Sequence, residues 1–253
     1  MTVVPRRELG QHFLVDENIL GVIGRLAELA PGDAVLEVGP GLGVLTRYLA
    51  TRVGRVHAVE LDASLAARLV DLPRNVELEV GDALRVDLGR LEPTKLVANL
   101  PYNVATPLIV ESLEGLPTVS LWCVMVQREV ADRLFASPST KAYGAVSVLV
   151  QLVAERTGLH PVSRNVFRPR PNVESALVAF RRTGLPADYR RVKRVVEAAF
   201  AHRRKTLPNS LALAGVAHRE RGVEALAAIG RQPDARAEQL APPEFVTLAD
   251  ALA

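Results

Sequence analysis

Four consecutive residues are placed to activate a poor nucleophile. Asn99, Leu100, Pro101 and Tyr102 come directly after the strand pattern of residues 96–98. The exocyclic amino group of a nucleobase reacts poorly because its lone pair is delocalised into the ring. The Asn99 side-chain oxygen and the Leu100 carbonyl could accept its two N–H bonds and free that lone pair, while the Tyr102 ring stacks on the base. The alternative is an Asn-Pro turn at a strand end.

Three further elements suit a nucleoside. Residues 37–43 read Glu-Val-Gly-Pro-Gly-Leu-Gly between a strand and a helix, so a ligand can approach backbone N–H groups there. Taken alone, this loop also fits a tight strand–helix turn, and its third glycine comes one residue too early for a dinucleotide fingerprint. Glu60 ends the next strand about 20 residues on, where a carboxylate can accept both ribose hydroxyls. Asp82 and Ala83 follow the third strand and could read an adenine amino group.

Together these elements favour S-adenosylmethionine as the cofactor. That molecule combines a nucleoside with a small zwitterionic tail and has no pyrophosphate to bind.

The spacing of the five histidines matches no metal-ligand pattern, so we expect no metal site.

The elements that must position these residues alternate along the first 150 residues. Asp16 can cap a helix, and short apolar strand patterns then alternate with helical ones, which predicts a parallel sheet with helices on both faces. These strand patterns are residues 34–38, 56–60, 76–80, 95–98 and 119–126.

The pattern changes after about residue 143. Residues 146–153 and 175–180 are interpreted as strands, joined by the proline-rich segment 167–173. Beyond Gly184 only helical patterns remain. We therefore predict a domain boundary near residue 184, followed by a small all-α domain of residues 185–253.

Composition and charge limit the class of protein. Of 253 residues, 49% are apolar, which excludes a disordered chain. Cys123 is the only cysteine and cannot form an internal disulfide, no apolar run is long enough to span a membrane, and no signal peptide is recognised. We expect a soluble cytoplasmic protein.

Basic residues are concentrated in one stretch of the sequence. Residues 160–205 contain 12 basic and 3 acidic residues, in blocks such as Arg181-Arg182 and Arg203-Arg204-Lys205. Such blocks suit a polyanion-binding face, and the charge alone is equally consistent with a solubilising surface.

The motifs together resemble those of the ribosomal-RNA adenine dimethyltransferase family, nearly from end to end. Besides the elements above, segments 6–14, 126–133, 167–175 and 200–207 are similar to signatures of that family. One departure is His12, where the family commonly has asparagine. A backbone contact to the cofactor would survive that change, whereas a side-chain contact depends on it.

The resemblance implies a fold and an activity. The fold is a Rossmann-like, seven-stranded, mostly parallel sheet with helices on both faces, followed by a small C-terminal all-α domain. A catalytic domain would span residues 1–184 and an RNA-recognition domain residues 185–253. The activity is N6,N6-dimethylation of two adjacent adenosines near the 3′ end of 16S ribosomal RNA. The protein would act as a monomer on the small ribosomal subunit, without metal or membrane.

The resemblance also implies roles for single residues. Cofactor contacts are expected from His12 and Leu14 at the methionine part, Gly39 and Gly41 at its tail, Glu60 at the ribose, Asp82 and Ala83 at the adenine, and Asn99. The target adenine would meet Asn99, Leu100, Tyr102 and a second ring, Phe167, which is otherwise a buried loop aromatic. RNA contacts are expected from Arg203, Arg204 and Lys205.

Other functions are compatible with the same motifs. The erythromycin-resistance type of enzyme modifies 23S ribosomal RNA and resembles this family, although segment 200–207 and Leu100 favour the small-subunit type. A protein that chiefly binds a pre-ribosomal particle during assembly is an alternative from another class. A DNA adenine methyltransferase fits the motifs less well.

Overall fold

A computed structural model describes residues 11–253, so residues 6–10 of the predicted opening segment lie outside the described residues. The chain divides into two compact units. Among the described residues, the first comprises 11–131 and 155–182, and the second comprises 132–154 and 183–253. The division into functional domains at residue 184 stays a prediction.

The first unit is built on a seven-stranded sheet, and two short strands pair separately. The strands along the chain are β1 (Phe13–Leu14), β2 (Ala34–Val38), β3 (Arg55–Glu60), β4 (Val76–Val80), β5 (Lys95–Asn99), β6 (Leu121–Gln127), β7 (Ala154–Val162), β8 (Phe167–Arg168) and β9 (Ser175–Arg182). The large sheet has the order β4-β3-β2-β5-β6-β9-β7, and β1 pairs with β8. The strands from β4 to β6 are parallel, and β9 is antiparallel to β6. The predicted mostly parallel α/β fold is confirmed.

The order of the strands explains where a ligand can bind. The chain runs outward from β2 to β3 and β4, and then returns to the other side of β2 as β5. Because these strands are parallel, the carboxyl ends of all four lie at one edge of the sheet. Ligands of open α/β sheets bind at that edge, where the strand order reverses. Four residues at or just after the ends of these strands lie there: Gly39, Glu60, Gly81 and Asn99.

Helices flank the sheet and form most of the second unit. They are α1 (Glu17–Leu26), α2 (Val44–Ala50), α3 (Ala63–Ala66), α4 (Ala105–Gly115), α5 (Arg128–Leu134), α6 (Ala145–Gln151), α7 (Tyr189–Ala201), α8 (Leu207–Leu213), α9 (Arg219–Ala228) and α10 (Pro242–Ala251). Asp16 caps α1 as predicted, since its carboxylate accepts the Asn18 N–H. No helix within residues 11–253 is both long and apolar enough to cross a membrane.

The predicted strand at residues 146–153 is wrong, because this segment forms helix α6. A short apolar run does not by itself distinguish a buried strand from a buried helix. Here the Ser147 hydroxyl accepts the Gly144 N–H at 3.1 Å and donates to the Arg133 carbonyl at 2.6 Å. These bonds favour the start of a helix, and the strand begins later, at Ala154.

The second unit has its own buried centre. Tyr143 is fully buried, and its hydroxyl donates to the Leu240 carbonyl at 2.7 Å. The rings of Tyr143 and Phe245 each contact Phe200, with centroids 5.9 and 5.8 Å away. An aromatic cluster with a satisfied hydroxyl therefore joins α7 and α10 to the segment before α6.

Arg182 is half-buried and bound to the backbone of the first unit, although it stands in a predicted polyanion-binding block. Its guanidinium donates to the carbonyls of Leu113, Leu116 and Val119 at 2.7 to 2.9 Å. Its neighbour Arg181 instead pairs at 2.7 Å with the exposed Glu28. The charge count therefore overstates the basic surface available to a ligand.

Replacing Arg182 by methionine should destabilise the protein, because it leaves three backbone carbonyls without their charged donor. We expect the free energy of unfolding to fall by about 1.5–3 kcal/mol. Arg181→Met is the matched control and should change it by less than about 1 kcal/mol, since exposed ion pairs contribute little. Urea denaturation measures both variants, and equal losses would contradict the assignment.

Candidate active site

A cavity opens at the carboxyl edge of the sheet in the first unit. It encloses about 1040 Å³, including the part that is open to solvent. Among the described residues, ten of the sequence-predicted site residues line it: His12, Leu14, Gly39, Gly41, Glu60, Asp82, Ala83, Asn99, Leu100 and Tyr102. The structure thus brings the predicted cofactor residues and most of the predicted target-base residues into one site.

The Glu60 carboxylate holds two turns of the cavity wall together. One oxygen accepts the Gly41 N–H at 3.0 Å, and the other accepts the Asp62 N–H at 2.9 Å. Burial raises the pKa of Glu60, while these backbone donors act in the opposite direction. Each carboxylate oxygen can accept more than one hydrogen bond, so the side chain retains acceptor capacity for hydroxyl groups of a ligand.

The glycine loop takes a conformation that glycine suits best. Gly39, Gly41 and Gly43 have φ values of 74°, 57° and 76°, in the left-handed region. A Cβ on Gly41 would lie 2.9 Å from the Phe13 ring. The loop therefore stays close to β1 and presents backbone to the cavity.

The outer part of the cavity combines one acid with exposed apolar side chains. Asp82 accepts the Leu84 N–H at 3.0 Å and contacts the exposed Arg85 at 3.5 Å. Leu61 and Leu84 line the cavity, although 54% and 42% of their surface is exposed. Exposed leucines beside an acid suit the flat faces and polar edge of a purine. Sequence reasoning missed both leucines. Their positions shortly after Glu60 and Asp82 in the sequence could have identified them as site residues.

The Asn99 side chain has a defined orientation. Its amide nitrogen donates to the His12 carbonyl at 2.9 Å, which leaves the amide oxygen Oδ1 as the acceptor atom. His12 is fixed in turn, because its Nδ1 lies 2.8 Å from the Pro169 carbonyl. The Leu100 N–H donates to the Met125 carbonyl at 3.1 Å and thereby anchors the end of β5 against β6.

Tyr102 is held by one contact of its hydroxyl and one of its ring. Its hydroxyl lies 2.5 Å from the Oγ of buried Ser175, and its ring centroid lies 5.4 Å from that of His12. Burial raises the pKa of Tyr102, so the hydroxyl stays neutral. A fixed neutral ring of this kind suits stacking on a base.

Phe167 does not reach the cavity, contrary to the expectation that its ring faces the target base. It is fully buried in the hydrophobic core, and in the register of β1 and β8 it lies opposite Leu14. Pairing with β1 turns the ring inward. A ring without exposed surface cannot stack on a base in this conformation.

The three predicted RNA-binding residues lie in the second unit, between α7 and α8. Arg203, Arg204 and Lys205 are all exposed. Arg203 also donates to the carbonyls of Lys141 and Tyr143 at 3.5 and 3.3 Å. It therefore supports a neighbouring loop, whereas no such contact is seen for Arg204 and Lys205 among the described residues.

Glu37 is a site residue to which sequence reasoning gave no role. It is 1% exposed and lines the cavity, and its Oε2 has no hydrogen-bond partner among the described residues. Burial raises its pKa to about 8; the Thr46 hydroxyl opposes this shift and the negative charge of Glu60 adds to it. The available signal was an acid two residues before the first glycine of the loop.

The fold and the site together define a class. A cavity at the switch point of a parallel sheet, with acids at the ends of successive strands, is typical of Rossmann-like nucleoside-binding enzymes. The family model described as ribosomal RNA adenine dimethylase matches residues 4–253. The chain therefore belongs to the ribosomal RNA adenine dimethylase family.

Individual proteins support this assignment. The chain is 49% identical over 250 residues to the ribosomal RNA small subunit methyltransferase A of Rubrobacter xylanophilus, covering 96% of this chain and 94% of that protein. The structure of the 23S rRNA methyltransferase ErmE has a TM-score of 0.66 at 30% identity, with 95% and 99% of the two chains covered. A dimethyladenosine transferase from Plasmodium falciparum shows the same fold, with a TM-score of 0.79 at 22% identity over 94% and 96% of the chains.

Gly41→Ala should disturb both the stability of the protein and its nucleoside binding. The left-handed conformation costs a non-glycine residue about 1–2 kcal/mol, and the added Cβ must also displace the Phe13 ring. Gly32→Ala is the control, because a Cβ there meets no atom within 4 Å. Urea denaturation measures the stability of the two variants, and calorimetry measures their affinity for a nucleoside. A Gly41→Ala protein with wild-type stability and wild-type nucleoside affinity would refute this account of the loop.

Proposed function

We propose that this protein transfers methyl groups from S-adenosylmethionine to N6 of adenosines in 16S ribosomal RNA, dimethylating two adjacent adenosines near its 3′ end. The observation that carries the proposal is the fixed Asn99 amide, with Tyr102 beside it, on the wall of the cavity at the carboxyl ends of the strands. Membership of the family supports ribosomal RNA as the substrate and adenine as the modified base. The name of the relative at 49% identity favours the small subunit.

The cavity residues fit S-adenosylmethionine. Glu60 would accept the ribose hydroxyls, and Asp82 with the Ala83 amide would bind the adenine edge between Leu61 and Leu84. Gly39 and Gly41 would lie along the tail, with His12 and Leu14 over the methionine part. The unpartnered Oε2 of Glu37 suits a positively charged ligand rather than a pyrophosphate. When bound, the cofactor supplies a methyl group attached to a sulfonium sulfur. The sulfur leaves as a neutral thioether when the methyl group is transferred.

The chain's own residues activate the nucleophile. Asn99 Oδ1 and the Leu100 carbonyl would accept the two N–H bonds of the target amino group, so that its lone pair points away from the ring. Tyr102 would hold the base plane by stacking. Positive charge builds on the nitrogen during transfer, and these two oxygens stabilise it. Once the new bond has formed, the positively charged nitrogen is strongly acidic and releases its proton to the solvent, so the mechanism needs no general base.

A methylation assay with mapping of the modified bases tests the proposal. The protein is incubated with labelled S-adenosylmethionine and either small subunits or large subunits that lack the modification. We expect two dimethylated adenosines near the 3′ end of 16S RNA and none in 23S RNA. The likeness to the 23S enzyme at 30% identity makes the large subunit the second candidate, and labelling confined to 23S RNA would establish it.

Asn99→Ala should reduce the rate of methyl transfer by about two to three orders of magnitude, the usual cost of removing one preorganised polar partner. Asn99→Asp keeps an acceptor oxygen and should retain more activity than the alanine variant. Single-turnover methylation with saturating cofactor measures both variants.

Cofactor affinity, measured by calorimetry, should change only modestly in the Asn99 variants. Wild-type single-turnover rates should also show no tenfold loss per pH unit between pH 6 and 9. A titration of that steepness, with RNA binding unaffected, would exclude the base-free mechanism.

RNA binding should depend on the exposed basic residues between α7 and α8. Replacing Arg204 and Lys205 together by glutamine should weaken binding and lower the slope of log affinity against log salt by about 1.5–2, because each phosphate contact releases counterions. Arg221→Gln is the control, since Arg221 is in an exposed pair with Glu224. If the double variant binds RNA with the wild-type salt slope, these residues do not contact phosphates.

A further inference from the structure

We propose that four arginines at the amino edge of the sheet, where the strands begin, bind the phosphate backbone of ribosomal RNA at a place separate from the modified base. They are Arg25, Arg47, Arg52 and Arg74, and we call them the arginine patch. The inference rests on the proposed function, because it takes the RNA of the small subunit as the partner. It adds to that function an RNA-contacting surface outside the cavity.

The topology of the first unit brings these arginines to one edge. Arg25 lies in the last turn of α1, which leads into β2, whereas Arg52 lies between α2 and β3 and Arg74 lies just before β4. Because β2, β3 and β4 are parallel, they all begin at the edge opposite the cavity. A five-residue strand such as β2 is about 16 Å long. The patch therefore cannot reach the phosphates of the adenosine that lies in the cavity.

Side-chain contacts hold α1 and α2 together at this edge. The Arg52 guanidinium lies 3.6 Å from the centroid of the Tyr48 ring on α2. Tyr48 packs closely on α1, because a Cβ added to Gly24 would clash with the Tyr48 hydroxyl. Arg25, which follows Gly24, therefore lies near Arg52 although 27 residues separate the two in sequence.

The segment before β4 is bound to the same surface. The Arg47 guanidinium donates to the carbonyls of residues 70–71 at 2.9 and 3.0 Å. The Asn75 amide donates to two carbonyls within residues 50–53, at 2.9 and 3.1 Å. These bonds place Arg74 beside the loop between α2 and β3.

The structure separates the basic and acidic residues of this part of the chain. Residues 25–74 contain six arginines and six acids, so the charge count along the sequence shows no excess. Three of the acids are buried, namely Glu37, Glu60 and Asp62. Two others pair with basic residues outside the stretch, Asp33 with Lys95 at 2.8 Å and Glu28 with Arg181 at 2.7 Å. Within this stretch, Asp71 is the one exposed acid that is not in an ion pair.

The patch therefore carries positive charge that the protein itself does not neutralise. All four arginines are exposed, and none is seen in an ion pair within residues 11–253. The side chains of Arg25 and Arg74 also make no hydrogen bond there. A guanidinium group binds phosphate through paired N–H bonds and is only weakly hydrated. Because the family acts on ribosomal RNA, RNA phosphates are the partner that this charge fits.

The salt dependence of binding to small subunits that lack the modification tests the patch. Arg25 and Arg74 are replaced together by glutamine, whereas Arg47 and Arg52 stay because they also contact protein atoms. We expect the slope of log affinity against log salt to fall by about 1.5–2, since two phosphate contacts are lost. A slope equal to that of wild type would overturn the inference.

The matched control replaces Arg90 and Arg221 by glutamine, which removes the same amount of charge. Both are exposed and already have acidic partners, so we expect the slope to change by less than about 0.5. An equal fall in both double variants would show a general charge effect and would overturn the inference. Calorimetry with S-adenosylmethionine should give the wild-type affinity for both, which confirms that they are folded.

A tethered probe tests directly whether RNA lies at the patch. Cys123 is the only cysteine and is buried, so Arg74→Cys adds one accessible thiol for an iron–EDTA reagent that cleaves nearby RNA. We expect cleavage of 16S RNA in bound small subunits, at positions other than the modified adenosines. Cleavage no stronger than that from Arg90→Cys would overturn the inference. If wild type methylates 16S RNA and these tests fail, only this inference fails; if wild type does not methylate 16S RNA, the proposed function fails.

Discussion

The site depends on the two hydrogen bonds that the Glu60 carboxylate accepts from backbone N–H groups. One joins the end of β3 to the glycine loop at Gly41, and the other closes the turn at Asp62. A buried carboxylate is costly unless its oxygens are bonded, so Glu60 is held where these donors lie. The cavity wall is thereby ordered before any ligand arrives, which reduces the entropy lost on binding.

A second set of contacts orders the reacting side of the cavity in the same way. The His12 carbonyl orients the Asn99 amide, the Pro169 carbonyl orients the His12 ring, and Ser175 holds the Tyr102 hydroxyl. Each side chain that would touch the base is thus fixed by an atom outside the base site. This pre-positioning suits a reaction without a general base, because holding the reacting groups in the right geometry lowers the barrier without a proton-transfer group.

The parts of the site that follow from strand ends could be predicted from the sequence. Parallel strands place their carboxyl ends together, so the positions of Glu60, Asp82 and Asn99 in one cavity follow from the alternating pattern alone. The orientation of Arg182 could not be predicted, and the sequence could not decide between a buried and a base-facing Phe167, since both depend on pairing between segments distant in sequence.

Other features needed the three-dimensional arrangement for different reasons. Helix α6 contains the apolar run of a strand, and its start depends on the bonds of Ser147 with Gly144 and Arg133. The charge state of Glu37 depends on how deeply β2 is buried and on Glu60 nearby. Neither the start of this helix nor the charge state of Glu37 can be inferred from the spacing of residues along the chain.

The most direct test of the central claim compares two ligands that differ by one ribose hydroxyl. Each ligand is measured on wild type and on one Glu60 variant. Calorimetry would measure 5′-methylthioadenosine and its 2′-deoxy analogue binding to wild type and to folded Glu60→Gln. If Glu60 both orders the loop and accepts the ribose, wild type favours the hydroxyl-bearing ligand by about 1.5–3 kcal/mol, and the variant loses that preference. An undiminished preference in the variant would contradict the account.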